Sequence, residues 1–285
     1  MSWELPDRIS VREVGPRDGL QNEDPVPTDA KVALLDRLSA TGVQRIEAVS
    51  FVRPSAIPQM ADADEVWKRA VRVPSVRYSA LVPNLRGALR ALDAGFSELE
   101  AVVSASETHN RKNVNRSTGQ SLDEIAEIIS IAHDHGATVQ VIVSTAWGCP
   151  YEGDVPVART VAVAGRALAD GADSASFGDT TGMATPTRVR ALVGAFRSAH
   201  PETVLNLHFH NTRGTGLANV LAALELGVSD FDASVGGLGG CPYAPGATGN
   251  IATEELVHMV EDMGVATGID LARSEEHTSE LQSPC

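Results

Sequence analysis

The sequence predicts an α/β protein, a (β/α)8 TIM barrel whose active site lies at the C-terminal ends of the strands. Short β-branched runs alternate with longer Ala/Leu-rich stretches of helical period, which is the pattern of βα units on a parallel sheet. Eight such strands can be counted, enough to close a barrel. No Gly-x-Gly-x-x-Gly turn follows the first strand, so a doubly wound sheet is disfavoured.

The predicted strands and helices follow one another in regular order. The strands are residues 9–14, 45–50, 76–82, 98–103, 138–144, 174–177, 204–210 and 231–235. The helices are residues 29–41, 60–70, 84–94, 121–135, 156–170, 186–199, 215–226 and 252–263. Thr28 and Thr185, each before a good first-turn residue, are the expected starts of the first and sixth helices. In such a barrel, polar residues at the C-terminal strand ends are the candidates for chemistry.

Length and composition favour one large domain. The chain has 285 residues, of which 43% are hydrophobic and 21% charged, so it can bury a sizeable core. We place the barrel domain at residues 1–272 and expect it to lack its native C-terminus. From Arg273 the sequence reads RSEEHTSELQS, which looks like a translated sequencing adapter. We therefore interpret residues 273–285 as a non-native tail that contributes no packed element.

Charge and apolar content exclude several classes of partner. The net charge of −14 disfavours nonspecific binding to nucleic acid or to an anionic membrane, because both need a basic surface. No apolar run approaches the roughly 20 residues that span a bilayer, and the start of the chain lacks the pattern of a signal peptide. We expect a cytoplasmic homo-oligomer without nucleic-acid or membrane partners. The cysteines are too few and too scattered for a disulfide framework, so we expect reduced thiols.

Charged residues follow the first strand and interrupt the second. Arg17 and Asp18 place a cation beside a carboxylate on the expected catalytic rim, although Pro-Arg-Asp-Gly is also a good turn sequence. Glu47 stands within an apolar strand, where a carboxylate is unfavourable unless it is paired or bound. A single glutamate in a strand can equally face solvent. These residues alone therefore leave both interpretations open.

The strongest chemical signal is the pair His208 and His210 at the end of the seventh strand. Residues two apart in a strand point to the same face, so both imidazoles converge. Such a pair at a barrel strand end favours a metal site over a structural role. A three-histidine zinc site lacks a third strand-end histidine, because His109 falls in the loop after strand four. Oxygen ligands from Asp18 and an amide would instead favour Mg²⁺ or Mn²⁺.

A glycine-rich loop follows the eighth strand, from Gly236 to Asn250. Its glycines allow the backbone to approach a ligand closely. A plain linker is the alternative, but Cys241 is a candidate acid or base within it, and Asn250 is a candidate metal ligand. We interpret Asp179, after the sixth strand, as a support for the neighbouring loops, and Cys149 as a packed thiol.

These segments together resemble the 3-hydroxy-3-methylglutaryl-CoA lyase family, from about residue 9 to residue 272. The matching motifs occur in the family's order and are VGPRDGLQNE, SFVRPSAIPQM, ASETHNRKNVN, GCPYEG, GDTTGMATP, HFHNTRGTGLAN and GLGGCPYAPGATGN. The last motif distinguishes this family from the related isopropylmalate and homocitrate synthases. Those synthases also carry long C-terminal regulatory regions, which this sequence does not show.

The resemblance implies a divalent-metal-dependent carbon–carbon lyase that cleaves 3-hydroxy-3-methylglutaryl-CoA, an acyl-CoA thioester, to acetyl-CoA and acetoacetate, as in leucine degradation. It implies four metal ligands, with two coordination positions left for substrate oxygens. These ligands are Asp18, His208, His210 and Asn250. It also implies an arginine over the thioester carbonyl, a glutamate that organises the site and a loop cysteine that transfers a proton. These catalytic residues are Arg17, Glu47 and Cys241.

Two departures from the animal members leave the acyl group open. Where those members have a tyrosine on the fifth strand this chain has Ile142, and where they read HCHDTYGQ it reads HFHNTRGT, with Asn211 and Arg213. The alternative functions are a lyase for a related branched 3-hydroxyacyl-CoA, and a 2-keto-acid aldolase or condensing synthase of the same superfamily. A metal-binding scaffold without turnover would have lost an acid or a ligand, whereas this chain keeps all of them.

Overall fold

The alternation of apolar strands with amphipathic helices produces a closed parallel barrel. The computed structural model describes residues 5–240 and 249–275. The barrel strands are β1 Ser10–Glu13, β2 Arg45–Ser50, β3 Arg77–Val82, β4 Glu98–Ser104, β5 Thr138–Ser144, β6 Ser174–Gly178, β7 Leu205–His208 and β8 Asp230–Ala233. Each strand pairs with the next, and β8 pairs in parallel with β1. The predicted TIM barrel is therefore confirmed.

Helices cover the outside of this barrel. They are α1 Thr28–Ser39, α2 Ala63–Arg69, α3 Leu85–Asp93, α4 Glu107–Val114, α5 Thr118–Asp134, α6 Val157–Ala169, α7 Pro186–Ala199, α8 Gly216–Leu224 and α9 Thr253–Asp262. A short hairpin pairs Gly148–Cys149 with Gly153–Asp154 after β5. In the part of the chain that the structure describes, no helix has both the length and the apolar character needed to cross a bilayer.

The apolar core lies between the barrel wall and the helices. On β5, Val139, Val141 and Val143 are fully buried, and they share one face because side chains alternate along a strand. Helices α5 and α6 pack against this strand. The opposite face points into the barrel, where Gln140 accepts a hydrogen bond from Nη1 of Arg12 at 2.9 Å. The wall is therefore apolar outside and polar inside.

The two expected helix starts differ in detail. Helix α1 begins at Thr28 itself, whose hydroxyl donates to Oδ2 of Asp62 at 2.7 Å instead of capping the helix. Thr185 does precede the first residue of α7, Pro186, but its side chain forms no capping hydrogen bond. Proline suits that first position because its missing N–H would have no partner within the helix.

Helix α4 is missing from the sequence prediction. Only His109 and Asn110 of its eight residues are buried, so it lacks the apolar stripe that identifies most surface helices. Its start is defined instead by Ser106, whose hydroxyl accepts a hydrogen bond from the backbone N–H of His109 at 3.1 Å. The expectation that His109 lies in a loop is therefore wrong, because it lies in the first turn of α4.

A helical turn at residues 271–275 includes part of the expected tail. Ser274 is 1% exposed, and its hydroxyl donates a hydrogen bond to Oε1 of Glu254 on α9. The expectation that nothing after residue 272 packs is therefore wrong for this serine, because its hydroxyl finds a partner on the barrel. Residues 276–285 lie outside the described residues, and the non-native origin of residues 273–285 stays a prediction.

Candidate active site

The catalytic rim begins with a turn of π-helix, Gly15–Gly19, that is separated from the end of β1 by one residue. The carbonyl of Val14 accepts hydrogen bonds from the N–H groups of Arg17 and Gly19, at 3.2 and 3.1 Å. The Pro-Arg-Asp-Gly segment is thus a turn, as one interpretation of the sequence held. The same turn also places the Arg17 and Asp18 side chains in contact, so the two interpretations are compatible.

Arg17 forms ion pairs with two carboxylates. Its Nη1 lies 2.7 Å from Oδ1 of Asp18, and its Nη2 lies 2.5 Å from Oε2 of Glu47. Glu47 is fully buried and therefore does not face solvent, and Arg17 is 8% exposed. Burial alone would lower the pKa of Arg17, but the charges of Glu47 and Asp18 outweigh burial and raise that pKa. Arg17 is therefore a fixed cation at the end of β1.

His208, the last residue of the seventh strand, and His210, just beyond it, converge with Asp18. Strand β7 ends at His208, and the ring centroids of His208 and His210 are 5.1 Å apart. Ligand atoms of Asp18, His208 and His210 all lie within 4.8 Å of one another. Because Asp18 contributes a carboxylate, this cluster favours a harder cation than a site of three histidines, which would favour zinc.

Asn250 adds an oxygen to this cluster. An isolated antiparallel β-bridge pairs it with His210, which brings the end of the glycine-rich loop back to the rim. Its Nδ2 donates to Oδ2 of Asp18 at 2.9 Å and to the carbonyl of Leu238 at 3.1 Å. Its Oδ1 is buried and has no hydrogen-bond partner among residues 5–240 and 249–275. An unpaired buried oxygen beside a carboxylate and two imidazoles fits a cation that prefers oxygen ligands.

The protonation states of Asp18 and His210 also suit a cation. Burial alone would raise the pKa of Asp18, but the charge of Arg17, followed by those of the two histidines, lowers it to about 2. Burial, with His208 adding to it, lowers the pKa of His210 to about 4. At neutral pH Asp18 is therefore a carboxylate and His210 a neutral imidazole, which are the forms that bind metal ions.

Asp179 directly follows β6 and contacts the loop after it. Its Oδ1 accepts hydrogen bonds from the backbone N–H groups of Met183 and Ala184, at 2.8 and 3.0 Å. Burial raises the pKa of this carboxyl to about 6, although the same two N–H groups act in the opposite direction. These contacts are those of a residue that holds the loop in place.

Cys241 lies outside the described residues, but both ends of its loop are defined. Gly249 donates its N–H to the carbonyl of Gly239 at 2.9 Å, and Asn211 donates to the carbonyl of Gly249 at 2.6 Å. Gly239 has a φ of +119°, and a Cβ there would lie 2.8 Å from Nδ2 of Asn250. A side chain at this position would be strained and would displace the amide. The two ends of the loop are therefore joined beside Asn250.

Asp232 and Arg12 are buried beside the site, and neither was identified from the sequence. Asp232 on β8 accepts a hydrogen bond from Nδ1 of His208 at 3.1 Å, and Nε of Arg12 on β1 lies 2.8 Å from its other oxygen. Burial alone would raise the pKa of Asp232, but the charge of Arg12 and the bond to His208 hold it well below its usual range. A carboxylate within an apolar strand, the signal that selected Glu47, could have selected Asp232 too.

Glu13 joins three segments beneath the rim. Its Oε1 accepts hydrogen bonds from the N–H groups of Gly15 at 2.7 Å and Val235 at 2.9 Å, and its Oε2 accepts one from the Thr253 hydroxyl at 2.7 Å. Burial raises the pKa of Glu13 to about 7, although these hydrogen bonds act in the opposite direction. Glu13 thus links the turn that carries Arg17 to the segment after β8 and to the start of α9.

Two of the residues that depart from the animal members contact loops. Oδ1 of Asn211 accepts a hydrogen bond from the N–H of Gly216, at the start of α8, at 3.1 Å. Nη1 of Arg213 donates to the carbonyls of Thr181 and Gly182, at 2.7 and 2.9 Å. Asn211 and Arg213 therefore both form hydrogen bonds that join neighbouring loops, and these bonds do not require a substrate.

A closed parallel barrel with oxygen and imidazole groups converging at the C-terminal rim defines a metal-dependent barrel enzyme. The chain belongs to the HMGL-like family, whose sequence pattern matches residues 8–279.

Similar proteins support this membership. The chain is 45% identical to hydroxymethylglutaryl-CoA lyase YngG of Bacillus subtilis over 269 residues, which cover 94% of this chain and 90% of the relative. It is 45% identical to the mitochondrial hydroxymethylglutaryl-CoA lyase of Gallus gallus over 270 residues, 94% of this chain and 91% of the relative. The structure of an HMG-CoA lyase from Acinetobacter baumannii, in complex with coenzyme A and 3-methylmalate, matches with a TM-score of 0.92 at 46% identity. That match covers 96% of this chain and 90% of the other. The family resemblance expected from the sequence is confirmed.

Proposed function

We propose that this chain is a divalent-metal-dependent carbon–carbon lyase that cleaves 3-hydroxy-3-methylglutaryl-CoA to acetyl-CoA and acetoacetate. The observation that carries the proposal is the convergence of Asp18, His208 and His210 beside the buried cation Arg17. The names of the relatives, hydroxymethylglutaryl-CoA lyases, support the substrate. The coenzyme A in the Acinetobacter structure supports an acyl-CoA thioester as the substrate class.

Four side chains would hold the metal ion. They are Asp18, His208, His210 and Asn250. Two oxygen ligands beside two imidazoles suit Mg²⁺ or Mn²⁺, and the unpaired Oδ1 of Asn250 supports its place in this set. When bound, a divalent cation lowers the pKa of a substrate hydroxyl and offsets the negative charge that develops on substrate oxygens.

Arg17 would act on the thioester. When the C2–C3 bond breaks, its electron pair stays with C2 and is delocalised onto the thioester oxygen as an enolate. A guanidinium that remains protonated in a buried site stabilises that oxygen. Glu47 would organise the site by holding Nη2 of Arg17, while Asp18 holds Nη1. The cation is thus fixed from two sides before substrate arrives.

Cys241 would supply the last proton. The C3 hydroxyl loses its proton as C3 becomes the ketone carbon of acetoacetate, and C2 must gain a proton to give acetyl-CoA. The thiol of Cys241 would donate that proton to C2. Overall, the proton lost by the C3 hydroxyl would pass to solvent and the Cys241 thiolate would regain a proton from solvent, so no co-reactant is consumed. The joining of the loop ends beside Asn250 supports this role.

We also propose a setting for this reaction. It comprises leucine degradation, a cytoplasmic location and a homo-oligomer without nucleic-acid or membrane partners. The net charge of −14 supports the absence of nonspecific nucleic-acid binding. The Gallus gallus relative is called mitochondrial, so fractionation of the source cells is the measurement that decides the location.

A panel of thioesters and free acids tests the function. The purified chain is incubated with Mg²⁺ or Mn²⁺ and with 3-hydroxy-3-methylglutaryl-CoA, related branched 3-hydroxyacyl-CoA esters, or free 2-keto acids. We expect metal-dependent release of acetyl-CoA and acetoacetate, fastest from 3-hydroxy-3-methylglutaryl-CoA. Faster cleavage of another branched ester would change the assigned substrate, and cleavage of free 2-keto acids alone would overturn the thioester lyase.

A further inference from the structure

The register of three neighbouring strands places His208, Asp232 and Arg12 in one layer of the barrel. In the parallel ladder, His208 on β7 is the partner of Asp232 on β8, and Asp232 is the partner of Arg12 on β1. Arg12 is 2% and Asp232 4% exposed. A continuous row of polar side chains therefore runs from the cluster of Asp18, His208 and His210 into the barrel interior.

Both oxygens of the Asp232 carboxylate are occupied. Oδ1 accepts hydrogen bonds from Nε of Arg12 at 2.8 Å and from Nδ2 of Asn206 at 2.9 Å. Oδ2 accepts from Nη2 of Arg12 at 2.8 Å and from Nδ1 of His208 at 3.1 Å. The paired guanidinium and carboxylate form the bidentate arrangement that fixes both groups in space.

This arrangement determines which nitrogen of His208 is free. A carboxylate held by a guanidinium only accepts hydrogen bonds, so in the neutral ring of His208 the proton is on Nδ1 and Nε2 keeps its lone pair. Nε2 lies 4.0 Å from Oδ2 of Asp18, so it faces the other members of the proposed metal site. A histidine ligand oriented by a carboxylate is a recurrent arrangement in metal sites.

We propose that Asp232 is a positioning residue, which fixes the tautomer and the ring orientation of His208 so that Nε2 faces the metal ion, while Arg12 holds Asp232. This inference deepens the proposed function, because it rests on His208 as a metal ligand. The other histidine differs, since Nδ1 of His210 is buried without a hydrogen-bond partner in the described ranges. Asp232 therefore influences the metal site through His208 and not through His210.

A merely structural role for Asp232 makes a different prediction, and the chain offers a matched control. Asp230 lies two residues earlier on the same strand, so its side chain faces the same side of the wall. Its Oδ1 lies 2.8 Å from Nη1 of Arg45, another buried arginine. If Asp232 only joined strands through an arginine, Asp230→Asn and Asp232→Asn would have similar effects.

The primary experiment measures binding of Mn²⁺ alone, without substrate, by electron paramagnetic resonance. Asp232→Asn keeps the shape of the side chain. We expect its amide oxygen to accept from Arg12 and its NH₂ group to face Nδ1 of His208. That favours the tautomer with the proton on Nε2, as expected when an asparagine replaces a histidine-orienting aspartate. We expect Mn²⁺ affinity to fall about 10- to 100-fold, whereas Asp230→Asn stays within about threefold of the starting protein. An unchanged affinity in Asp232→Asn, or an equal loss in both variants, would overturn the proposal.

A second measurement reads the tautomer directly in the metal-free protein. With ¹⁵N-labelled histidine, the His208 ring, assigned through His208→Gln, should show a protonated Nδ1 above the pH at which the ring is neutral. This experiment needs no Asp232 variant, so it decides the proposal even where Asp232→Asn fails to fold. A protonated Nε2 would overturn it. If the starting protein binds Mn²⁺ but cleaves no thioester, the proposed function fails while the positioning role stands.

Discussion

Nη2 of Arg17 lies 2.5 Å from Oε2 of Glu47, and Glu47 is fully buried. The cation assigned to catalysis is thus also half of a buried ion pair. Removing one member of such a pair leaves an uncompensated charge in the interior and lowers stability. A test of Arg17 must therefore separate a loss of catalysis from a loss of folding.

Arg17→Gln should lower kcat far more than it raises KM, because the guanidinium acts mainly on charge that develops in the transition state. One preorganised donor is typically worth about 10²–10³ in kcat. Arg17→Lys should restore little, since a flexible ammonium does not reproduce a planar fork held by two carboxylates. Steady-state kinetics at saturating metal and substrate give both constants.

The matched control for this experiment is Arg45→Gln. Arg45 is a buried arginine that pairs with Asp230, so its loss also breaks an interior ion pair. We expect a lower melting temperature in both variants but a near-normal kcat only in Arg45→Gln. A near-normal kcat in Arg17→Gln would leave Arg17 with the structural role alone.

Chelation should abolish the lyase activity, and Mg²⁺ or Mn²⁺ should restore it, because the cluster offers ligand atoms within 4.8 Å and an unpaired amide oxygen. His210→Ala should weaken Mn²⁺ binding in the absence of substrate. His109→Ala, which removes a buried histidine on α4 outside this cluster, should leave Mn²⁺ binding unchanged. Full activity after exhaustive chelation would contradict the metal requirement.

Cys241→Ser should lower turnover by about 10²–10⁴, the usual contribution of a general acid, and should leave Mn²⁺ affinity intact. Cys149→Ser is the control, because Cys149 is a buried thiol that donates a hydrogen bond to the hydroxyl of Ser106 at 2.9 Å. We expect that variant to turn over at a rate close to that of the starting protein. Loss of Mn²⁺ binding in Cys241→Ser would instead make Cys241 a ligand.

Glu13→Gln should change how stability depends on pH. Burial raises the pKa of Glu13 from its ordinary value of 4.5 to about 7, so the folded protein favours the protonated carboxyl. The stability that this proton provides is fully present below pH 4.5 and is lost as the pH rises through 7. Glutamine has no proton to lose, so Glu13→Gln should gain stability relative to the starting protein between pH 5 and 8, on the order of 2 kcal/mol. Urea unfolding of both proteins at several pH values gives this difference, and a difference that does not vary with pH would contradict the raised pKa.

The fold and the centre of the site could be predicted from the sequence, because both produce patterns among residues that are close together in the chain. The barrel strands recur as short runs between helical stretches, and His208 and His210 are two residues apart, which is the period of a strand. Arg17 and Asp18 are neighbours in the chain, so a turn at the end of β1 is enough to bring them together.

Other parts depend on distances along the chain that no local pattern reports. The bond between Arg12 and Asp232 joins residues 220 positions apart, and it exists only because the barrel closes in one register. Helix α4 was missed for a different reason, since its outer surface is polar and only its capping serine marks its start.

The shared layer of Arg12, Asp232 and His208 has a consequence for changes in chain length. Side chains alternate between the two faces of a strand, so deleting one residue within β7 or β8 would turn the residues beyond it to the opposite face. His208 would then point toward the helices and Asp232 would lose it as a partner. The segments that lead from a helix into the next strand carry none of the proposed ligands and are under no such constraint, for example residues 200–204 between α7 and β7. Insertions should therefore be tolerated in these helix-to-strand connections and excluded from the wall, so the protein can be lengthened there without moving its proposed ligands.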